Sequence, residues 1–89
     1  MKYKVEWKRK AFKQLAKVQR QQQSKIQVAV TKLENSETWG DVKKLVNHDY
    51  DYRLRVGNYR VLFNATNDET IEINEITVEE VKKRDDKTY

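Results

Sequence analysis

Arg53, Arg55 and Arg60 fall within the stretch Asp51-Tyr52-Arg53-Leu54-Arg55-Val56-Gly57-Asn58-Tyr59-Arg60-Val61-Leu62-Phe63. Arginines so placed suit the gripping of phosphate, because the guanidinium is planar, keeps its charge and presents a fork of donors that matches a phosphate edge. The alternation of the stretch predicts two strands joined by Gly57-Asn58. Gly57 supplies the positive φ that the first loop position of a two-residue type II′ turn needs. In that register Val56 faces Tyr59, Arg55 faces Arg60, Leu54 faces Val61 and Arg53 faces Leu62. Tyr52, Leu54, Val56, Tyr59, Val61 and Phe63 then make one apolar face, while Arg53, Arg55, Arg60 and Leu62 make the other. Like charges directly opposite on a hairpin are destabilising, so the expected occupant of the second face is an anion.

Other elements must carry this hairpin. Residues Lys2 to Trp7 alternate, with Tyr3, Val5 and Trp7 on the inner side of a first strand. From Arg9 the period becomes helical, with Phe12, Leu15, Ala16 and Val18 as the buried stripe of a helix ending near Arg20. Gln21-Gln22-Gln23-Ser24 is expected to turn the chain. A second helix follows, with Ile26, Ala29, Val30 and Leu33 on one stripe and an end around Asn35-Ser36. So short a connector predicts an αα-hairpin. Val42, Leu45 and Val46 fit either a helical turn or an extended lead into the hairpin. Asn64 to Asp68 is read as leading to a turn, and Thr70 to Ile76 as a strand with Ile71 and Ile73 inward. A bulge or strand end is expected where Glu75 falls inward and Ile76 outward. Val78 and Val81 continue it as a kinked strand or a helical turn.

The 89 residues carry no linker, low-complexity segment or internal repeat, and one domain spanning 1–89 is expected. Hydrophobic content of 37% is low, but two tryptophans, five tyrosines and two phenylalanines supply bulk for a small, aromatic-rich core. Nineteen basic against fourteen acidic side chains give a net charge of +5, which favours a polyanion or an acidic protein as partner. The cations cluster in Lys2 to Lys17, Lys43 to Arg60 and Lys82 to Lys87. Without cysteine, disulfides, thiolate zinc sites and cysteine nucleophiles are excluded, and one histidine excludes a site built on several imidazoles. No metal or cofactor is expected. No apolar run approaches the ~20 residues that span a bilayer, and the N-terminus lacks a signal-peptide segment, so a cytoplasmic protein without membrane association is expected.

The β-α-α-β-β-β order, the Tyr52-to-Phe63 hairpin and the terminal Lys82-Lys83-Arg84-Asp85-Asp86-Lys87-Thr88-Tyr89 together resemble the RelE/ParE superfamily of toxins from type II toxin–antitoxin systems. The resemblance implies an α+β fold: a small, mainly antiparallel sheet with the αα-hairpin on one face and a basic concave face opposite. RelE-type members are ribosome-dependent mRNA endonucleases (mRNA interferases) that cut the codon in the decoding site. ParE-type members inhibit DNA gyrase. The RelE-type site is a metal-free set of basic side chains with a C-terminal tyrosine. Carried over by position, it falls on Arg53 and Arg55 before the turn, Arg60 after it, Arg84 beyond the last strand and Tyr89, and Lys82 or Lys83 could fill the role given to Arg84. Occupation of all five positions favours the nuclease branch over a gyrase inhibitor or a plain RNA-binding domain.

Metal-free cleavage has the 2′-hydroxyl attack the adjacent phosphorus, so a proton must leave it, charge on the phosphorane must be neutralised and the departing 5′-oxygen must be protonated. Arg60 and Arg84 are the candidates for the phosphorane and Tyr89 for the base, with nearby arginines favouring its phenolate. Arg55 would stabilise the leaving oxygen by hydrogen bonding while a water delivers the proton. His48 is a second possible donor, although its loop-like setting reads as structural. Arg53, Lys43, Lys44, Lys82 and Lys83 are expected RNA contacts. Tyr52 and Tyr59 belong to the core, and Trp39 packs beneath the connector. The partners implied are a cognate antitoxin, the ribosome and the mRNA in its decoding site.

Overall fold

In chain order the elements are β1 (Lys4–Trp7), α1 (Arg9–Ala16), α2 (Arg20–Thr31), β2 (Val42–Lys44), β3 (Tyr52–Val56), β4 (Tyr59–Asp68) and β5 (Ile73–Lys83), with 3-10 turns at Lys32–Glu34 and Ser36–Thr38. They are seen in a computed structural model that describes residues 2–68, 70 and 73–84, apart from the side chains at 68 and 73. The fold is of the expected α+β class. It has one strand more than expected, because the connector ahead of the hairpin is extended and pairs with it as β2. The five strands run in the order β1-β5-β4-β3-β2. All neighbours are antiparallel except β1 and β5, which are parallel. No helix among the described residues is long and apolar enough to cross a membrane.

Both helices cover one face of the sheet. Ala11, Leu15, Val18, Ile26, Val30 and Leu33 meet Leu54, Val61, Phe63, Ile76, Val78 and Val81 in a single core. Of the expected α1 stripe Leu15 and Val18 are buried, but Ala11 takes the place of Phe12, which is 60% exposed, and Ala16 is exposed as well. The glutamine run is not a turn. Gln21, Gln22 and Gln23 lie inside α2, and the chain turns at Lys17 to Gln19. Glutamine is a good helix former, and the Gln23 side-chain amide donates to the Val18 carbonyl at 2.7 Å and to the Ala16 carbonyl at 3.3 Å, closing the end of α1. Trp39 lies on the core as expected, its ring 5.5 to 5.8 Å from those of Tyr3, Tyr52 and Phe63 and its indole N–H donating to the Leu33 carbonyl at 2.8 Å.

The hairpin has the expected register, from Val56 against Tyr59 to Tyr52 against Phe63. Gly57 adopts φ 56°, and among the described residues only Asn47 shares a positive value, which is the type II′ pattern. β4 continues through Asn64 to Asp68 instead of turning there. The bulge falls later than expected: Leu62 pairs with Glu80 and Phe63 with Val78, so Glu79 is the extra residue. Ile76 therefore faces the core, fully buried. The inward placement expected of Ile71 and Ile73 lies outside the described residues and side chains. Beyond Val78, β5 outruns β1, and α1 closes the open edge: the Val81 N–H donates to the Gln14 side-chain carbonyl at 2.7 Å.

Candidate functional site

The sheet face turned away from the helices collects cations in rows. Arg55 pairs with Arg60 across β3 and β4, and Arg60 pairs with Lys82 across β4 and β5, so three cations cross three strands side by side. In the next row Lys43 pairs with Arg53, Arg53 with Leu62 and Leu62 with Glu80. Side-chain alternation sends Lys44, opposite Tyr52, and Lys83, opposite Tyr59, to the helix side. These two expected RNA contacts do not join the cluster. Arg84 follows β5 with its N–H donating to the Asn58 carbonyl at 2.6 Å, which fixes its backbone beside the hairpin tip. Tyr89 lies outside the described residues.

Arg60 differs from expectation in its burial. The residue is only 3% exposed, although the sequence placed it on an open surface. One guanidinium nitrogen donates to the Gly57 and Tyr59 carbonyls at 3.1 and 2.9 Å, while buried Nε has no hydrogen-bond partner. A buried donor left unsatisfied costs about 1–3 kcal/mol. Burial, then the charges of Arg55, Arg84 and Arg53, push its pKa below the ordinary arginine value, and Asp41 opposes them. It nonetheless stays protonated at neutral pH. Arg60 thus senses the other three arginines, and no described carboxylate bonds to it.

The other cations are held differently. Arg53 donates to the Asp41 carboxylate at 3.3 Å and to the Asp41 carbonyl at 3.1 Å, so it is already engaged within the chain. Arg55 and Arg84 are exposed, with no ion pair among the described residues. The site therefore offers two open guanidinium groups around a fixed, buried one, an arrangement able to receive a phosphate from the solvent side.

Glu80 and Tyr50 were not singled out by sequence reasoning. Glu80 is 6% exposed. Its carboxylate accepts from the Tyr50 hydroxyl at 2.7 Å and from the Gln14 amide at 3.3 Å, and pairs with Lys10 at 3.1 Å and Lys82 at 3.9 Å. Burial opposes its ionisation, but the hydrogen bonds from Tyr50, Lys10 and Gln14 and the charge of Lys82 outweigh it, and the pKa lies below the usual carboxylate value. The same hydrogen bond, then burial and the charges of Glu80, Glu79 and Asp49, raise the Tyr50 phenol to about 12. The signal for this pair was the bulge, which moves Glu80 onto the face of Leu62. Tyr50 and the reciprocal bonds of Asp51 with Asn64 and Ala65 pin the 45–51 loop beside the cations. His48 accepts from the Tyr50 N–H at 3.1 Å within that loop, a structural role.

No protein-family model matches the chain. No curated protein matches it either. Among solved structures it is similar to a chain of the RelB-RelE antitoxin-toxin complex from Methanococcus jannaschii, with a TM-score of 0.67, 24% sequence identity and 88% of each chain covered. At that identity the likeness is one of fold.

Proposed function

We propose, from the RelE-like fold and the arginine cluster it presents, that this chain is the toxin of a toxin–antitoxin pair and acts as a ribosome-dependent, metal-independent mRNA endoribonuclease. The observation that carries the reading is Arg60, a buried guanidinium with an unpartnered Nε and three further arginines around it. In this reading Arg60 supplies fixed positive charge from beneath the surface, and the exposed Arg55 and Arg84 meet the substrate phosphate. Arg84 contacts the scissile group, with the buried charge of Arg60 behind it, as charge builds on the phosphorane, while Arg55 hydrogen-bonds to the departing 5′-oxygen and a water protonates it. Arg53, positioned by Asp41, and Lys43 and Lys82 on the same face steer the flanking backbone. Tyr89 is the proposed base for the 2′-hydroxyl proton. Pre-oriented donors of this kind are each worth ~10²–10³ in rate.

The partners in this reading are the ribosome with its mRNA and an antitoxin, in the cytoplasm. The test is an in vitro translation reaction followed by primer extension of the message, run with and without ribosomes. Discrete cuts that need ribosomes are expected. Intact message while DNA supercoiling fails would identify a gyrase inhibitor instead, and binding with neither effect a plain RNA-binding domain.

A further inference from the structure

The 45–51 loop breaks the pattern of the surface it borders. Between Lys44 and Arg53 the chain carries no cation and has acids at Asp49 and Asp51, although the strands on either side are rich in lysine and arginine. What the loop offers is apolar and aromatic. Val46 is 82% exposed, and the half-buried rings of His48 and Tyr50 lie 5.7 Å apart. Tyr50 is held at both ends: its N–H donates to His48 Nδ1 at 3.1 Å and its hydroxyl to the Glu80 carboxylate at 2.7 Å. Glu80 faces Leu62, so it lies on the cation face one row from the Arg60–Lys82 pair, and two residues along a strand span ~7 Å. The phenol is thereby tied one row away from the arginine cluster. Lys10, Gln14 and Lys82 complete the partners of the Glu80 carboxylate, which compensates its charge within the chain.

We propose that Tyr50 stacks on the nucleobase next to the phosphate received by the arginine cluster, and that Glu80 is the positioning residue that fixes the ring for this contact. The inference rests on the RNA-cleaving reading and adds a base contact to a site so far built from phosphate contacts alone. A phosphodiester finds no partner at the Leu62–Glu80 end of its row. Leu62 is apolar and fully buried, Glu80 is an anion, and the loop beside them adds Asp49 and Asp51. A base is flat and uncharged, so it fits where a phosphate is repelled, and bases of single-stranded RNA are commonly held by stacking on aromatic side chains. The row spacing is of the order of the distance between a backbone phosphate and the base of its own nucleotide. A phosphate over the arginines therefore sets a base beside Tyr50. The tie to Glu80 matters because a ring already fixed loses little rotamer freedom on binding.

The test uses the full chain with isotopically labelled tyrosines and a 2′-O-methyl oligoadenylate, which cannot be cut by attack of a 2′-hydroxyl, beside a strand of equal length and charge that lacks its bases. Nuclear Overhauser contacts between the Tyr50 ring protons and adenine protons are expected in the wild type. The oligoadenylate should bind at least about tenfold more tightly than the base-free strand. That preference should fall about tenfold in Tyr50→Leu, with affinity for the base-free strand unchanged. Tyr50→Phe keeps the ring without its tie and should fall between the two. Glu80→Ala should lose part of the preference, while Glu80→Gln, which still offers Tyr50 an acceptor, should keep it. The proposal is overturned if the Tyr50 ring shows no contact with the bases, if the wild type binds both strands equally, or if Tyr50→Leu keeps the full preference. Full preference in both Tyr50→Phe and Glu80→Ala overturns the role given to Glu80. Because the strand cannot be cut, a chain that leaves messages intact can still show the base contact, and one that cuts them can lack it, so the two readings fail separately.

Discussion

At Arg60 a full charge sits 3% exposed beside Arg55, Arg84 and Arg53, with a donor unsatisfied. Taking an ion out of water costs several kcal/mol even after relaxation, and no described carboxylate bonds to Arg60 to offset that cost. Arg60→Met should therefore unfold at a denaturant concentration equal to or above that of the wild type. A large loss of stability would instead make Arg60 a structural post for the Gly57 turn. Glu80 has the opposite character, since its partners are all within the chain. Its folded pKa is depressed, so its stabilising contribution is present above the unfolded value near 4.5 and is lost as pH falls through the folded value. Glu80→Gln should be less stable than the wild type at neutral pH, with the gap closing below about pH 4.5 in chemical denaturation. A gap that stays constant with pH would show that ionisation of Glu80 contributes nothing.

At the scale of elements, the exposure of Phe12 and burial of Leu15 set up a contrast. Leu15→Ala should cost about 2–5 kcal/mol in urea denaturation, whereas Phe12→Gln should stay within about 0.5 kcal/mol. A similar cost for both would place the α1 stripe where periodicity first put it. The hairpin was legible because Gly57 and strict alternation leave a single register, and a shift by one residue would turn every arginine into the core. Leu15 and Val18 of the α1 stripe were legible, but its first member was read as Phe12 in place of Ala11 because hydrophobicity ranks Phe12 higher, while close packing of helix on sheet favours the small side chain. The bulge at Glu79 was read too early, since its position depends on pairing with β4, which local alternation does not encode. The same gap concealed the Glu80–Tyr50 pair and left Lys44 and Lys83 grouped with cations on the opposite face. Arg60's burial was also illegible, because it depends on the neighbours that cover it.

Over the whole molecule, one sheet separates two kinds of work. Helices and aromatic rings fill one side with the core, and the other side gathers Arg53, Arg55, Arg60, Lys82 and Lys43 in register. The 45–51 loop, fastened through Tyr50 and Asp51, borders that side. Net charge of +5 draws the molecule toward polyanions at long range, and the cluster would orient one phosphate at short range. The most direct measurement of this account is primer extension on a defined message in a reconstituted translation reaction, comparing wild type with Arg60→Met at equal co-sedimentation with ribosomes. The account predicts discrete cuts by the wild type and a loss of about 10²-fold or more in the variant at undiminished ribosome binding. Equal cutting by both proteins, or an uncut message with the wild type, would contradict it.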